Sequence, residues 1–176
     1  MKDKDYFKQF DIRFGSLAFG RHLMEVEVND LFFEKYINED IQGCNVHVHL
    51  TVERKETMVT LEFDMHGCVI TFCDRCLEKL TMPISKQEIL ILKTTGKAKE
   101  SDNEDIVFLG DKEYAYNIEQ ILYEYIVTLI PIRKVHTETD VEVCNPEMLK
   151  LIEQAKGTPQ PQYDERWNVL KDLKLE

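Results

Sequence analysis

The stretch richest in chemistry is Phe72-Cys73-Asp74-Arg75-Cys76-Leu77-Glu78-Lys79-Leu80. Two cysteines with two residues between them can hold a metal ion, exchange a disulfide, or remain inert thiols. Disulfide exchange needs the first cysteine at a helix N-terminus, where the dipole lowers its pKa. Here the residues that follow alternate like a strand, at Leu80, Met82 and Ile84, and include Pro83 as an edge-strand marker. The pair is therefore expected in a turn between strands, the shape of a zinc knuckle in which two thiolates converge on one ion. Tetrahedral zinc needs two more ligands, and His136 and Cys144 in VHTETDVEVC offer them from a loop between two expected helices. Cys73, Cys76, His136 and Cys144 form a closed Cys3His set, which suits structural zinc rather than catalysis. Such a site contributes on the order of 10 kcal/mol in metal-dependent folds. The competing reading leaves the cysteines free and His136 on the surface.

A second constellation lies in NVHVHLTVE and VTLEFDMH. If the ERKET turn pairs Thr51 with Thr60, His49 faces Glu62 and His47 faces Asp64. An HxH pair on a strand can ligate catalytic zinc, and the His47/His49 face or the CxxC turn would then serve a metal- or thiol-dependent enzyme. The simpler reading, which we favour, is cross-strand pairing of imidazole and carboxylate on a wet face. Cys44 and Cys68 are expected to be buried or half-buried thiols. The glycines of IRFGSLAFG fit no phosphate loop, and no catalytic residue stands out.

The elements that must position these groups read as α+β. Alternation at Met24, Val26 and Val28, then at Val46, Val48, Leu50 and Val52, then at Val59, Leu61, Phe63 and Met65, predicts an antiparallel sheet, open or partly closed like a barrel. Gly67 suggests a bulge. Asn117 and Gln120 read as a capping box opening an amphipathic helix whose stripe is Ile118, Ile121, Leu122, Tyr125, Ile126 and Leu129, stopped by Pro131. A second helix starts at Asn145-Pro146 with Met148, Leu149 and Ile152 inward. A polar, mobile loop is expected at about 96–104, a linker at about 156–163, and a short terminal helix at about 164–175 carrying Trp167, Leu170 and Leu173 on one face.

With 176 residues, 43% of them apolar, the chain is expected to make one domain over 1–176. No apolar run approaches the roughly 18 residues of a membrane span. Five scattered cysteines do not make a disulfide framework, so a reducing cytoplasm is expected and no membrane partner. A net charge of −11 argues against a protein that coats nucleic acid. The one net-basic stretch is 71–99, with six basic and three acidic residues. If RNA or a partner is touched through basic groups, Arg75, Lys79, Lys86, Lys93, Lys97 and Lys99 are the candidates.

CDRCLEKL after an alternating strand, the helix ending in LIPIRKVH, the run Cys144-Asn145-Pro146-Glu147-Met148-Leu149 and the terminal YDERWNVLKDLK together resemble the YceD-like family of large ribosomal RNA subunit accumulation proteins. The resemblance runs from about residue 10 to the end. It implies a non-enzymatic role in large-subunit ribosomal RNA accumulation and ribosome assembly, with no catalytic residues to carry over. Many members have a second CxxC-type cluster after the helix, where this chain has His136 and Cys144 with seven residues between. Glu165 stands where the terminal motif commonly has proline. The implied partner is precursor RNA of the large subunit or a basic large-subunit ribosomal protein, and the acidic balance favours the protein.

Overall fold

The computed structural model describes residues 3–36, 38, 40–94, 105–110, 112–137 and 143–156. Helix α1 (Asp3–Phe7) and a 3-10 turn lead into β1 (Asp11–Ile12), and a second 3-10 turn leads into β2 (Gly20–Asn29). Then follow α2 (Asp30–Glu34), β3 (Gly43–Arg54), β4 (Met58–Phe72), β5 (Lys79–Thr94), β6 (Ile106–Leu109), β7 (Tyr116–Asn117), α3 (Glu119–Thr128) and α4 (Pro146–Ala155). The linker and terminal helix expected from the sequence lie outside the described residues apart from Lys156, and so does the polar loop.

β2 to β6 form one open sheet in chain order, which makes the fold α+β and leaves the barrel unformed. The first three pairings are antiparallel, as the alternation predicts, but β6 joins β5 in parallel at Ile91–Thr94. A parallel neighbour requires a crossover rather than a tight hairpin, which alternation within each strand does not reveal. Pro83 does lie on a free stretch of β5, because β6 covers only its last four residues. β3 and β4 bury every second residue: Val46, Val48, Leu50, Val52, Val59, Leu61, Phe63 and Met65 point to the core. Onto them pack Ile118, just before α3, with Leu122 and Ile126 of α3 and, from the N-terminal segment, Phe10, Ile12 and Phe14. That segment offers only the short alternation of Phe10, Ile12 and Phe14. It is tied down by the Ile118 amide donating to the Phe10 carbonyl at 2.9 Å and by the two-residue ladder of β1 with β7.

Three local expectations change. The β3–β4 hairpin turns tightly, with the Lys55 amide donating to the Met58 carbonyl at 2.9 Å. The register is therefore two residues away from the one assumed: Thr51 faces Glu62, His49 faces Asp64 and His47 faces His66. Gly67 makes no bulge, since pairing runs unbroken from Gly43↔Ile70 to Arg54↔Val59. Asn117 caps α3 through Glu119, whose amide donates to Asn117 Oδ1 at 2.9 Å, while Gln120 reaches Glu124 instead of closing a capping box. Glu119, almost fully buried, is satisfied by Lys35 Nζ at 2.5 Å and the Tyr36 hydroxyl at 3.2 Å.

The core thiol and phenols fix the alkaline behaviour. Burial, reinforced by Asp30 and Cys68, pushes the Cys44 thiol up to about 12. Burial likewise lifts Tyr6 and Tyr36 to about 12, the latter aided by Glu119. Each folded value lies above its unfolded one, so the unfolded chain loses these protons first and stability falls as pH rises. In denaturant melts the contribution of these three groups should be constant up to about pH 8.5, the unfolded thiol value, and lost from there towards pH 12. Cys44→Ala should delay the onset to about pH 10, where the tyrosines take over.

Candidate metal centre

The turn between β4 and β5 is held by its own backbone. The Cys73 amide donates to the Glu78 carbonyl and the Leu77 amide to the Cys73 carbonyl, both at 2.9 Å. Leu77 closes it with φ of 62°, a left-handed conformation unusual for a branched side chain. This compact turn places the Cys73 and Cys76 thiols on the same side, both nearly inaccessible to solvent.

The segment after α3 is stitched to this turn residue by residue. Asp74 accepts from the Lys134 amide through Oδ2 and donates its own amide to the Lys134 carbonyl, each at 2.6 Å. Arg75 donates to the His136 carbonyl at 3.0 Å. His136 is buried, and its Nε2 lies 3.0 Å from the Lys79 carbonyl. A carbonyl only accepts, so Nε2 carries the proton and Nδ1 presents its lone pair to the thiols, the second-shell arrangement of metal-bound histidines. Cys144 arrives just ahead of α4, whose first turn is capped by Asn145 accepting from the Glu147 amide at 2.9 Å. Cys73, Cys76 and Leu80 form a small apolar cluster against Met82, Val135, Cys144 and Met148, separate from the main core.

The four ligand atoms of Cys73, Cys76, His136 and Cys144 all lie within 4.8 Å of one another. Cys73 Sγ is 3.9 Å from Cys144 Sγ, and His136 Nδ1 is 3.5 Å from the sulfurs of both Cys76 and Cys144. A zinc tetrahedron with Zn–S of about 2.3 Å and Zn–N of about 2.0–2.1 Å has S···S edges of about 3.8 Å and S···N edges of about 3.6 Å. The residues thus fit a tetrahedral ion of zinc size, and all four members of the set read from the sequence come together. A family model described as large ribosomal RNA subunit accumulation protein YceD matches residues 61–174. This chain belongs to the YceD family. The match begins inside β4 and takes in the knuckle, α3 and α4. No curated protein and no solved structure matches the chain.

Electrostatics suit cation binding. Burial pushes the Cys73 thiol up, but backbone amides of Cys76, Arg75 and His136 point at its sulfur and outweigh that, lowering it to about 6. Burial pulls His136 down, yet the Lys79 carbonyl and the neighbouring sulfurs raise it overall. Burial and hydrogen bonding to the other two sulfurs raise Cys144. One sulfur is thus already anionic near neutrality while Cys144 is held towards its protonated form, and a metal ion would displace that proton.

The basic candidates are not brought into one patch. Arg75 is spent on the His136 carbonyl, Lys86 pairs with Glu88 at 3.1 Å and Lys93 lies 5.9 Å from the Phe108 ring centre. Lys79 and Lys93 stand at opposite ends of β5, roughly 45 Å apart along an extended strand, and alternation turns Lys86 to the other face. Lys97 and Lys99 lie outside the described residues. The sequence reading missed Asp74 and Lys134, whose reciprocal bonds dock the loop. The aspartate inside the CxxC is the signal for it, because its short side chain readily accepts from main-chain amides.

Proposed function

We propose that this protein is a non-catalytic cytoplasmic factor supporting accumulation of large-subunit ribosomal RNA, with a structural zinc ion held by Cys73, Cys76, His136 and Cys144. The observation that carries this reading is the coincidence of the YceD match with four ligand atoms within 4.8 Å of one another, three of whose separations match the edges of a zinc tetrahedron. Four protein ligands complete the coordination, with no position left for substrate, so the ion's part is to clamp the segment after α3 and the start of α4 onto the β4–β5 turn. The family description is of an accumulation factor, which agrees with a role in assembly rather than turnover.

Of the two partner classes, a basic large-subunit ribosomal protein is favoured over precursor RNA. The chain carries −11, and the described lysines that would grip phosphate are dispersed or already paired. A mild pulldown of the tagged chain from its own cells, with RNA sequenced and proteins identified, tests this. Large-subunit proteins should be enriched over a tag-only control, and large-subunit precursor RNA should be recovered with them and released by high salt. Recovery of neither at normal ribosome levels would overturn the assembly role.

A further inference from the structure

The face of the sheet turned away from the core carries a group that the knuckle does not use. Three of the chain's five histidines, His47, His49 and His66, stand there, with side chains 53–62% exposed. The register sets them in a two-by-two block with Asp64: His47 directly opposite His66, and His49 directly opposite Asp64. Across the strands such partners have Cβ atoms about 4.5–5.5 Å apart, and along each strand the members are about 6.6–6.8 Å apart. Imidazole rings on that spacing reach a common point by ordinary rotamer changes, which exposed side chains make readily.

A second layer surrounds the block. Glu27 and Glu25 on β2 lie opposite His47 and His49, and each carboxylate comes within 3.9 Å of the facing Nδ1. At 3.9 Å each carboxylate attracts positive charge to the block and stands where a closer approach to Nδ1 would orient a metal-bound imidazole. His66 has Asp64 Oδ1 at 2.9 Å from Nε2 and Ser85 Oγ at 3.3 Å from Nδ1. Simple surface pairing of histidine with carboxylate does not require three imidazoles and a carboxylate on adjacent corners of one ladder.

We infer that His47, His49, His66 and Asp64 form a binding site for a divalent transition cation that takes imidazole nitrogen, with Glu25 and Glu27 as positioning residues. Nitrogen and carboxylate donors select Zn2+, Ni2+ or Cu2+ over Mg2+ or Ca2+. The site is independent of the knuckle: His66 is seven residues before Cys73 on an extended path, roughly 23 Å. The family model covers only half of it: Asp64 and His66 fall within residues 61–174, while His47 and His49 precede them.

The test uses the full chain preloaded with one equivalent of zinc, titrated with Ni2+ by calorimetry and by amide NMR, where the paramagnetic ion broadens signals near its site. Wild type should bind one Ni2+ and lose the signals of residues 47, 49, 64 and 66 first. H47Q/H66Q should weaken binding at least ~100-fold, and E25Q/E27Q ~10-fold, within the 10- to 100-fold range of second-shell changes. H22Q should leave it unchanged, because His22 lies outside the block with Nε2 at 2.9 Å from the Ala18 carbonyl. Broadening centred elsewhere, or affinity that survives H47Q/H66Q, would overturn the site. Affinity untouched by E25Q/E27Q would overturn the positioning role and reduce the block to an adventitious chelate.

Discussion

Chelation of the proposed zinc should lower the stability of this protein by about 3 kcal/mol or more without unfolding the sheet. The full value of structural zinc, on the order of 10 kcal/mol, applies where the metal is the main source of the fold. Here the main core of β2–β5 and α3 is assembled without any of the four ligands. What the proposed ion would hold is the second cluster, where Cys73, Cys76 and Leu80 meet Val135, Cys144 and Met148. α4 is the element most dependent on it, because none of its residues is buried and Met148 reaches only this cluster. Hydrogen exchange after chelation should therefore show loss of protection in 133–137 and 143–156 with β3 and β4 unchanged. Cys73→Ser should reproduce the chelator's effect, and chelator should then add nothing to the variant. A melting temperature equal to wild type for metal-replete Cys73→Ser would sink the zinc clamp. Ribosomal readouts should follow stability: if the ion is structural, variants that lose it fail to accumulate large-subunit RNA in proportion to the fraction of α4 released.

Much of this arrangement is legible in the sequence, and the reasons differ by element. β2 to β5 could be read because one face of each is buried, which forces a period of two on their side chains, whereas β6, with no such alternation, could not. The ligand set could be read because thiolate and imidazole at a turn and a loop have few other ways to satisfy tetrahedral zinc. Register could not. A pairing shifted by two keeps every side chain on its own face, so alternation cannot distinguish His49 opposite Glu62 from His49 opposite Asp64. Only the tight turn at Lys55–Met58 decides it, and that turn lacks the glycine or asparagine by which such loops are recognised. The N-terminal segment was missed for a related reason. Phe10, Ile12 and Phe14 are spaced like a strand but sit in 3-10 turns and a two-residue strand, positioned by contacts with β7 and α3 more than 100 residues away. Whether the basic stretch makes a patch could not be read for a third reason: its residues must share a face, and an extended strand disperses those of them that are described.

Gly67→Ala should be the most damaging single-methyl change in the sheet, costing about 3 kcal/mol, the upper end of what overpacking does. A Cβ built on Gly67 lies 2.1 Å from the Asn45 carbonyl oxygen and 2.6 Å from Val46 Cα. Both are backbone atoms of the paired strand, so no side chain can rotate out of the way. β3 and β4 must separate locally, in the part of the ladder next to Val46 and Met65, both fully buried. Gly20 provides the control. It also has a positive φ, 118°, but an added Cβ there meets nothing within 4 Å, so Gly20→Ala should cost only the conformational strain of about 1–2 kcal/mol. Denaturant melts of the two variants separate close approach from backbone angle as the reason for glycine. If Gly67→Ala costs no more than Gly20→Ala, β3 and β4 are not as tightly apposed at Val46 as described. A larger loss at Gly67, with exchange protection reduced first at Asn45–His47, identifies the missing side chain as what allows the central hairpin to close beside the histidine block.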